Sequence, residues 1–145
     1  MSHQGRPGDK DYTTLKAHAK LATELLGREV AYEDDIFSSC VKDAIKLLFQ
    51  EDILLLENTR FNAEEITINV PEEQAKSQMV RNLYPMFDLF INDAFSVFHR
   101  SQCSVVSFTG VFPGAASTLM EKDITALDKA LKCREHPAIL VRSKT

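Results

Sequence analysis

The run Ile53-Leu54-Leu55-Leu56 holds four apolar residues without a polar interruption, and Arg60 follows it closely. Strands with one face in water alternate apolar and polar residues, whereas strands covered on both faces read as continuous apolar runs. The run therefore predicts a buried strand. The other predicted strands are Val30-Ala31-Tyr32, Leu89-Phe90-Ile91, Val105-Val106-Ser107-Phe108 and Ala138-Ile139-Leu140-Val141.

Apolar residues spaced three and four positions apart predict helices between these strands. The first helix is predicted to begin at a cap of Thr13 or Thr14 and to end at Gly27, and the second to begin at a cap of Ser38 or Ser39. The third helix is predicted at 72–83 and the fourth at 117–131. The apolar face of the fourth helix is Leu119, Ile124, Leu127 and Leu131. The segment 62–71, which contains Glu64-Glu65, is predicted to be a loop or a short hairpin, and the segment 110–114 is predicted to be a loop. Because strands and helices alternate, we predict a three-layer α/β/α fold around a mostly parallel sheet.

Composition limits the classes of protein that fit. The chain has 145 residues, 44% hydrophobic and 26% charged, and a net charge of −4, as in one soluble globular domain. The acidic balance argues against nucleic acid as a partner, and no apolar stretch reaches the roughly 18 residues of a membrane span. Cys40, Cys103 and Cys133 form no CxxC pair and are odd in number. We therefore expect free, buried thiols in a reducing compartment, and hence a cytoplasmic protein.

The chain contains few of the motifs that bind phosphates or carry out catalysis. It has five glycines and neither GxGxxG nor GxxxxGK[ST], so no backbone cradle for nucleotide phosphates is predicted. The pair His99-Arg100 has no carboxylate or thiol partner that would indicate nucleophilic catalysis. We predict no catalytic residue and no metal ligand in this chain.

Three arginines follow strands or presumed strands. Arg60 follows the run at 53–56, Arg100 follows the run at 89–91, and Arg6 lies with His3 in an N-terminal loop that looks like the end of a strand. Ligands of parallel sheets bind beyond the carboxyl ends of the strands, and the planar guanidinium group pairs with carboxylate or phosphate. The pattern predicts a ligand that carries more than one negative charge.

Four segments in order resemble the N-terminal domain of phosphoglycerate kinase, and most closely its archaeal form. They are Ser2-His3-Gln4-Gly5-Arg6-Pro7, Leu54-Leu55-Leu56-Glu57-Asn58-Thr59-Arg60-Phe61, Ile91-Asn92-Asp93-Ala94-Phe95 with His99-Arg100, and Leu119-Met120-Glu121-Lys122-Asp123. The resemblance implies a Rossmann-like sheet of order 3-4-2-1-5-6 that here lacks its first, central strand. It also implies that 1–115 is an incomplete 3-phosphoglycerate-binding domain, and that 116–145 contains an interdomain helix and the first strand of a nucleotide domain.

The family transfers a phosphoryl group between 1,3-bisphosphoglycerate and ADP in glycolysis and gluconeogenesis, with Mg²⁺ and ADP or ATP as cofactors. The resemblance assigns the substrate carboxylate and phosphate to His3, Arg6 and the intervening backbone of Gln4 and Gly5. Arg60 and Arg100 complete this group, with His99 as a possible addition. We expect no cofactor to bind this chain alone, because the family's nucleotide site lies in the other domain.

The sequence departs from the family pattern at both ends and in one loop. The family's first strand, its Asp-x-Asn-Val-Pro loop and a further arginine have no counterpart, and Val141-Arg142-Ser143-Lys144-Thr145 stands where a Gly-Gly-x-Lys turn belongs. We therefore expect a chain truncated at both ends. Ser96 and Phe98 replace smaller residues of the family pattern. A lost central strand leaves two unpaired edges, so we also expect marginal stability.

Three functional hypotheses remain open. In the first, the chain is part of a kinase and is inactive alone, and a separate chain is one source of the missing segments. In the second it is a non-catalytic anion-binding module, and in the third it is a structural remnant that binds no substrate. For any single arginine, solvation of the surface is the competing interpretation. Glu57, Asn58 and Asp93 are interpreted as residues that fix loops rather than as acid or base groups.

Overall fold

The apolar run at 53–56 forms strand β2 (Ile53–Leu56), which pairs in parallel with β1 (Val30–Glu33). A second parallel pair joins β3 (Phe90–Asn92) to β4 (Gly114–Ala116). In this computed structural model, which describes residues 1–67 and 70–132, the pairs form two separate sheets.

Helices connect the strands, as the alternating pattern predicted. Their bounds are Lys16–Leu26 (α1), Ser39–Lys46 (α2), Glu64–Thr67 (α3), Pro71–Gln74 (α4), Gln78–Leu83 (α5), Cys103–Val106 (α6) and Thr118–Lys132 (α7). Parallel strands joined by helical crossovers confirm the α/β class.

The ends of the helices follow local side-chain chemistry. Ser38 caps α2, because its hydroxyl accepts the Val41 N–H at 3.4 Å, as predicted. Gly27 ends α1 with a left-handed backbone at φ 65°, also as predicted. The predicted threonine cap of α1 is wrong. The helix begins after Leu15, whose N–H is accepted by the Glu57 carboxylate at 2.9 Å.

A cleft separates the two sheets. Side chains of β2 and of β3 line it from opposite sides, together with Met1, Ser2 and His3, and it encloses about 740 Å³. The edge of β2 that faces β3 is therefore unpaired, and so is the edge of β3 that faces β2. Two strand pairs with a gap between them are the arrangement expected of a sheet that lacks its central strand.

The hydrophobic core lies under the helices that pack on β2. Its buried side chains include Ile36, Val41, Ile45, Leu56, Met79, Val80, Leu83 and Phe108. The predicted apolar face of α7 is not part of this core: Leu119, Ile124, Leu127 and Leu131 are each 46–77% exposed.

The predicted strand at 105–108 is wrong. Residues Cys103–Val106 are helical and continue into a 3₁₀ turn at Ser107–Gly110. The Ser104 N–H and hydroxyl in the first turn of this helix are both bound by the buried Glu65 carboxylate, and the Ser107 hydroxyl donates to the Cys103 carbonyl four residues back. The strand that pairs with β3 comes later, at 114–116, from the edge of a segment predicted to be a loop.

Two further predictions needed correction. The predicted loop at 62–71 contains α3, because the Asn62 side chain accepts the Glu64 N–H at 3.1 Å and so starts a helical turn. The single helix predicted at 72–83 is broken into α4 and α5, because Ser77 caps a new helix by accepting the Val80 N–H at 3.3 Å. The predicted strand at 138–141 lies outside the described residues.

Within the described ranges, none of the helices combines the length and the apolar character needed to cross a membrane.

Candidate functional site

The N-terminal segment is fixed to the end of β2 by one side chain. Asn58, which is fully buried, accepts the Gln4 N–H at 3.2 Å and donates to the Gln4 carbonyl at 2.8 Å and the Thr13 carbonyl at 3.0 Å. The Thr59 N–H donates to the Ser2 carbonyl at 3.0 Å. These contacts hold His3 beside the carboxyl end of β2, and they confirm that Asn58 fixes a loop.

Gly5 allows the segment to turn towards Arg60. Its φ is +63°, and a Cβ atom there would lie 2.4 Å from the backbone nitrogen of Tyr12. The Gly5 carbonyl accepts a hydrogen bond from Nη1 of Arg60. Only a residue without a side chain fits this close approach of two backbone segments.

Arg60 lies in a 3₁₀ turn (Thr59–Phe61) directly after β2, and its side chain is only 8% exposed. Burial lowers the pKa of its guanidinium group, and the positive charges of Arg100 and then Arg6 lower the pKa further. Arginine remains charged even so. The charges of Arg6 and Arg100 therefore lie near enough to Arg60 to influence its ionisation.

His3 belongs to the same cluster. The side chain is half-buried, and burial lowers its pKa first, followed by repulsion from Arg60 and from Arg100. A lowered pKa favours the neutral imidazole near pH 7. An anion bound among these groups would reverse the effect of the arginines, so His3 is able to gain a proton on binding.

Arg100 is brought to the cluster by the loop after β3. Asn92, the last residue of β3, accepts the Ala94 N–H at 2.9 Å and donates to the Val105 carbonyl at 3.1 Å. The Arg100 N–H donates to the Val97 carbonyl at 2.8 Å. These bonds shape a tight loop that carries Arg100 past the end of the strand.

His99 lies at the surface of the loop that carries Arg100. Its side chain is exposed, and its ring contacts Phe98 edge-on with 6.4 Å between ring centroids. Phe98 also stacks on Phe95 at 5.3 Å. The loop tolerates the large Phe98 because that side chain lies at the surface and does not pack inward.

The cations of the cluster are not neutralised by ion pairs within the described ranges. The salt bridges found there join Lys46 to Asp43 and Lys132 to Asp128, both on exposed helix faces. A group of uncompensated cations is repulsive unless an anion binds. The arrangement can therefore hold a carboxylate or phosphate through paired N–H donors.

Sequence reasoning missed two buried polar residues that support the site. Glu65, predicted to lie in a loop, accepts the Ser104 N–H at 2.8 Å and the Ser104 hydroxyl at 2.5 Å. Gln74 donates to the Ser101 carbonyl at 2.8 Å. The sequence contained one signal for Glu65, which is that its carboxylate lies five residues after Arg60. A buried arginine requires acidic or carbonyl groups nearby.

Comparison with known proteins identifies the family. The family model for phosphoglycerate kinase matches residues 1–143. The chain belongs to the phosphoglycerate kinase family. It is 71% identical to phosphoglycerate kinase 1 of Methanosarcina acetivorans over 100% of this chain and 35% of that protein. It is 48% identical to phosphoglycerate kinase 2 of the same organism, over 97% of this chain and 34% of that protein.

Solved phosphoglycerate kinases have the same architecture. The enzyme of Pyrococcus horikoshii OT3 superimposes with a TM-score of 0.90 at 41% identity, over 93% of this chain and 33% of that one. The enzyme of Coxiella burnetii gives a TM-score of 0.67 at 26% identity, over 94% and 32%. The chain thus spans about a third of the length of the phosphoglycerate kinases that it matches.

The cysteines of this phosphoglycerate kinase chain differ in environment. Cys103 is fully buried, as predicted, and burial raises the pKa of its thiol to about 11. Cys40 is exposed, which the prediction of buried thiols did not anticipate, because it lies on the outer face of α2. Cys133 lies outside the described residues. No cluster of three or more His, Cys, Asp or Glu side chains suited to a metal occurs among residues 1–67 and 70–132.

Proposed function

We propose that this chain provides the phosphoglycerate-binding half of a phosphoglycerate kinase. Residues 1–115 form the substrate-binding domain, and 116–145 lead towards a nucleotide-binding domain. The ligand is 3-phosphoglycerate or 1,3-bisphosphoglycerate. Its carboxylate and phosphate bind to His3, Gln4, Gly5, Arg6, Arg60 and Arg100, with His99 at the margin.

The observation that carries the proposal is that the N-terminal segment with His3 and Arg6 is bonded directly to the turn with Arg60 after β2. The charges of Arg60 and Arg100 both lower the pKa of His3, which supports a position of the three residues near the carboxyl ends of β2 and β3. Arginines in one region without salt bridges among the described residues favour a ligand with more than one negative charge.

The contacts of the loop refine the role of each donor. Both backbone groups of Gln4 are bonded to Asn58, so Gln4 acts on the substrate through its side chain. The backbone N–H of Gly5 remains a candidate donor. Arg60 binds the Gly5 carbonyl with Nη1, which leaves its other N–H groups for the ligand. Binding of this kind positions a phosphoryl group and balances its charge.

Transfer of the phosphoryl group requires ADP or ATP with Mg²⁺, which the family binds in its second domain. We propose that this chain alone does not catalyse the reaction, because reactants must be held in near-attack geometry by both domains. A separate chain or a longer form of this protein in the cytoplasm would supply that domain. Neither nucleic acid nor a membrane is proposed as a partner.

The test is calorimetric titration of the purified chain with 3-phosphoglycerate at two salt concentrations. Binding should be measurable and weaker at high salt. Arg60→Ala should abolish it. Arg28→Ala is the matched control, because Arg28 precedes β1 at the opposite end of the sheet, and it should leave the affinity within about twofold. If the wild-type chain gives no heat with 3-phosphoglycerate, the proposed function is wrong.

The second hypothesis, an anion-binding module without catalysis, makes a different prediction. The chain would bind 3-phosphoglycerate, yet it would not restore ATP formation when mixed with a phosphoglycerate kinase that lacks the corresponding domain. ATP formation in the mixture, measured from 1,3-bisphosphoglycerate and ADP, would favour the kinase.

A further inference from the structure

Glu65 is a buried carboxylate between two of the arginine-bearing segments. Its side chain is fully buried in α3. Burial of a carboxylate is unfavourable unless hydrogen bonds compensate the lost hydration. The Ser104 N–H at 2.8 Å, the Ser104 hydroxyl at 2.5 Å and the Thr59 hydroxyl at 3.4 Å provide these bonds.

The partners of Glu65 adjoin the site on both sides. Thr59 directly precedes Arg60, and Ser104 follows Arg100 by four residues. The segment between Arg100 and Ser104 is also held by Gln74, which donates to the Ser101 carbonyl at 2.8 Å. One carboxylate therefore connects the turn after β2 to the segment after β3 by hydrogen bonds, although no strand joins the two sheets.

The charge of Glu65 acts on Arg60 without neutralising it. Burial raises the pKa of the Glu65 carboxyl, and its hydrogen bonds and Arg60 act in the opposite direction. No salt bridge joins Glu65 to Arg60 within the described residues. The guanidinium group of Arg60 therefore stays available to a ligand while a negative charge nearby reduces its repulsion with Arg100.

We infer that Glu65 is a positioning residue that sets the spacing between Arg60 and Arg100, so that both can bind one ligand with two separated anionic groups. The inference rests on the proposed function. Because the carboxylate is bonded to both segments, a change at Glu65 should alter two-point binding and spare binding of a single anionic group.

Glu65→Gln is the test variant, because it keeps the size of the side chain and removes its negative charge. Its one oxygen can still accept the Ser104 N–H, but its NH₂ group can only donate to the Ser104 and Thr59 hydroxyls, which reverses those hydrogen bonds. Titrations compare 3-phosphoglycerate, which has a carboxylate and a phosphate, with inorganic phosphate, which offers one group. The dissociation constant for 3-phosphoglycerate should rise about ten- to a hundredfold, whereas that for inorganic phosphate should change by about twofold or less.

The matched control is Glu64→Gln, the same chemical change one residue earlier. Glu64 accepts the Gln78 N–H at 2.8 Å in an exposed contact, so both dissociation constants should stay at their wild-type values. Ser104→Ala removes a single hydroxyl and serves if Glu65→Gln does not fold. It should weaken 3-phosphoglycerate binding about three- to tenfold and leave inorganic phosphate unchanged.

The outcomes separate this inference from the proposed function. If the wild-type chain binds 3-phosphoglycerate and Glu65→Gln binds it equally well, or weakens both ligands in parallel, the positioning role is wrong while the site stands. If the wild-type chain binds no 3-phosphoglycerate, both proposals fail. If Glu65→Gln weakens the binding of 3-phosphoglycerate and leaves that of inorganic phosphate unchanged, the positioning role is supported.

Discussion

The side chain of Asn58 pairs with the backbone of Gln4 through two hydrogen bonds, 2.8 Å to its carbonyl and 3.2 Å from its N–H, although 54 positions separate the residues. One amide thus performs the pairing that a neighbouring strand would provide. The position of His3 beside Arg60 depends on this contact.

Asn58→Ala should strongly destabilise the fold. The substitution removes the partner of the Gln4 and Thr13 backbone groups in a partly buried place and leaves a cavity where the fully buried Asn58 side chain lay. We expect the free energy of unfolding to fall by about 2–4 kcal/mol, measured by urea denaturation. Asn82→Ala, which removes hydrogen bonds at a partly exposed side chain, should change it by roughly 1 kcal/mol or less. Equal effects of the two variants would contradict the assigned role of Asn58.

Gly5→Ala should be more harmful than Gly8→Ala. Both glycines have positive φ, but a Cβ at Gly5 meets the Tyr12 backbone at 2.4 Å, whereas a Cβ at Gly8 meets nothing within 4 Å. We expect a loss of about 1–2 kcal/mol for Gly8→Ala and more than about 3 kcal/mol for Gly5→Ala. Thermal unfolding of the two variants provides the comparison. A larger loss at Gly8 would show that the clash is relieved by movement of the loop.

Glu57 should make the free energy of unfolding depend on pH in the acidic range. Burial alone would raise the pKa of its carboxyl, but hydrogen bonds from Thr14, Tyr32, Asn58 and Leu15 outweigh it and the pKa is lowered. A carboxyl whose pKa is lowered by folding stabilises the protein above its unfolded pKa, and that contribution disappears as the pH falls through the folded pKa. Glu57→Gln should therefore be less stable than the wild type at pH 7, by roughly 1–3 kcal/mol.

The difference between the two proteins should shrink as the pH falls below about 4.5, the usual range of a glutamate carboxyl. Denaturation curves at several pH values measure it. A difference that stays constant down to pH 3 would show that the charge of Glu57 does not contribute to stability.

His3 should make ligand binding depend on pH. Its pKa is lowered in the free protein by burial and by Arg60 and Arg100. A bound anion favours the protonated imidazole, so the affinity for 3-phosphoglycerate should rise as the pH falls from about 7.5 towards 6. His3→Gln should lose this rise and keep only the contribution from the ligand's own phosphate. Parallel pH profiles for the two proteins would remove His3 from the site.

The isolated chain should be marginally stable. The facing edges of β2 and β3 are unpaired, and the cleft of about 740 Å³ leaves part of the core without packing atoms. We expect thermal unfolding by circular dichroism below about 45 °C, the low end for ordinary domains. A cooperative transition well above that temperature would show that the cleft closes in solution.

Local sequence patterns predicted the parts of the fold that local chemistry decides. The apolar run at 53–56 and the caps Ser38 and Gly27 are such cases. The strand predicted at 105–108 failed because β-branched residues there are outweighed by the contacts of Ser104 with Glu65 and of Ser107 with Cys103. The first contact joins residues far apart in the chain, and the second lies within one helical turn. The spacing of apolar residues carries no information about either contact.

The sequence offered Arg6, Arg60 and Arg100 as candidates because each follows a strand or a strand-like segment, and their role as ligands stays a prediction. Glu65 and Gln74, which bond to the segments next to Arg60 and Arg100, could not be chosen in this way. Their function depends on complete burial, and polar residues in an apparent loop are ordinarily expected at the surface.

Because Asn58 pairs with Gln4, the candidate anion site exists only in the folded chain. Because His3 and Arg60 meet only when segments more than fifty residues apart have assembled, an unfolded chain presents no site at all. A ligand that binds there must shift the folding equilibrium by mass action. If the chain has the marginal stability that we predict, a bound anionic metabolite would raise the fraction of chains that are folded.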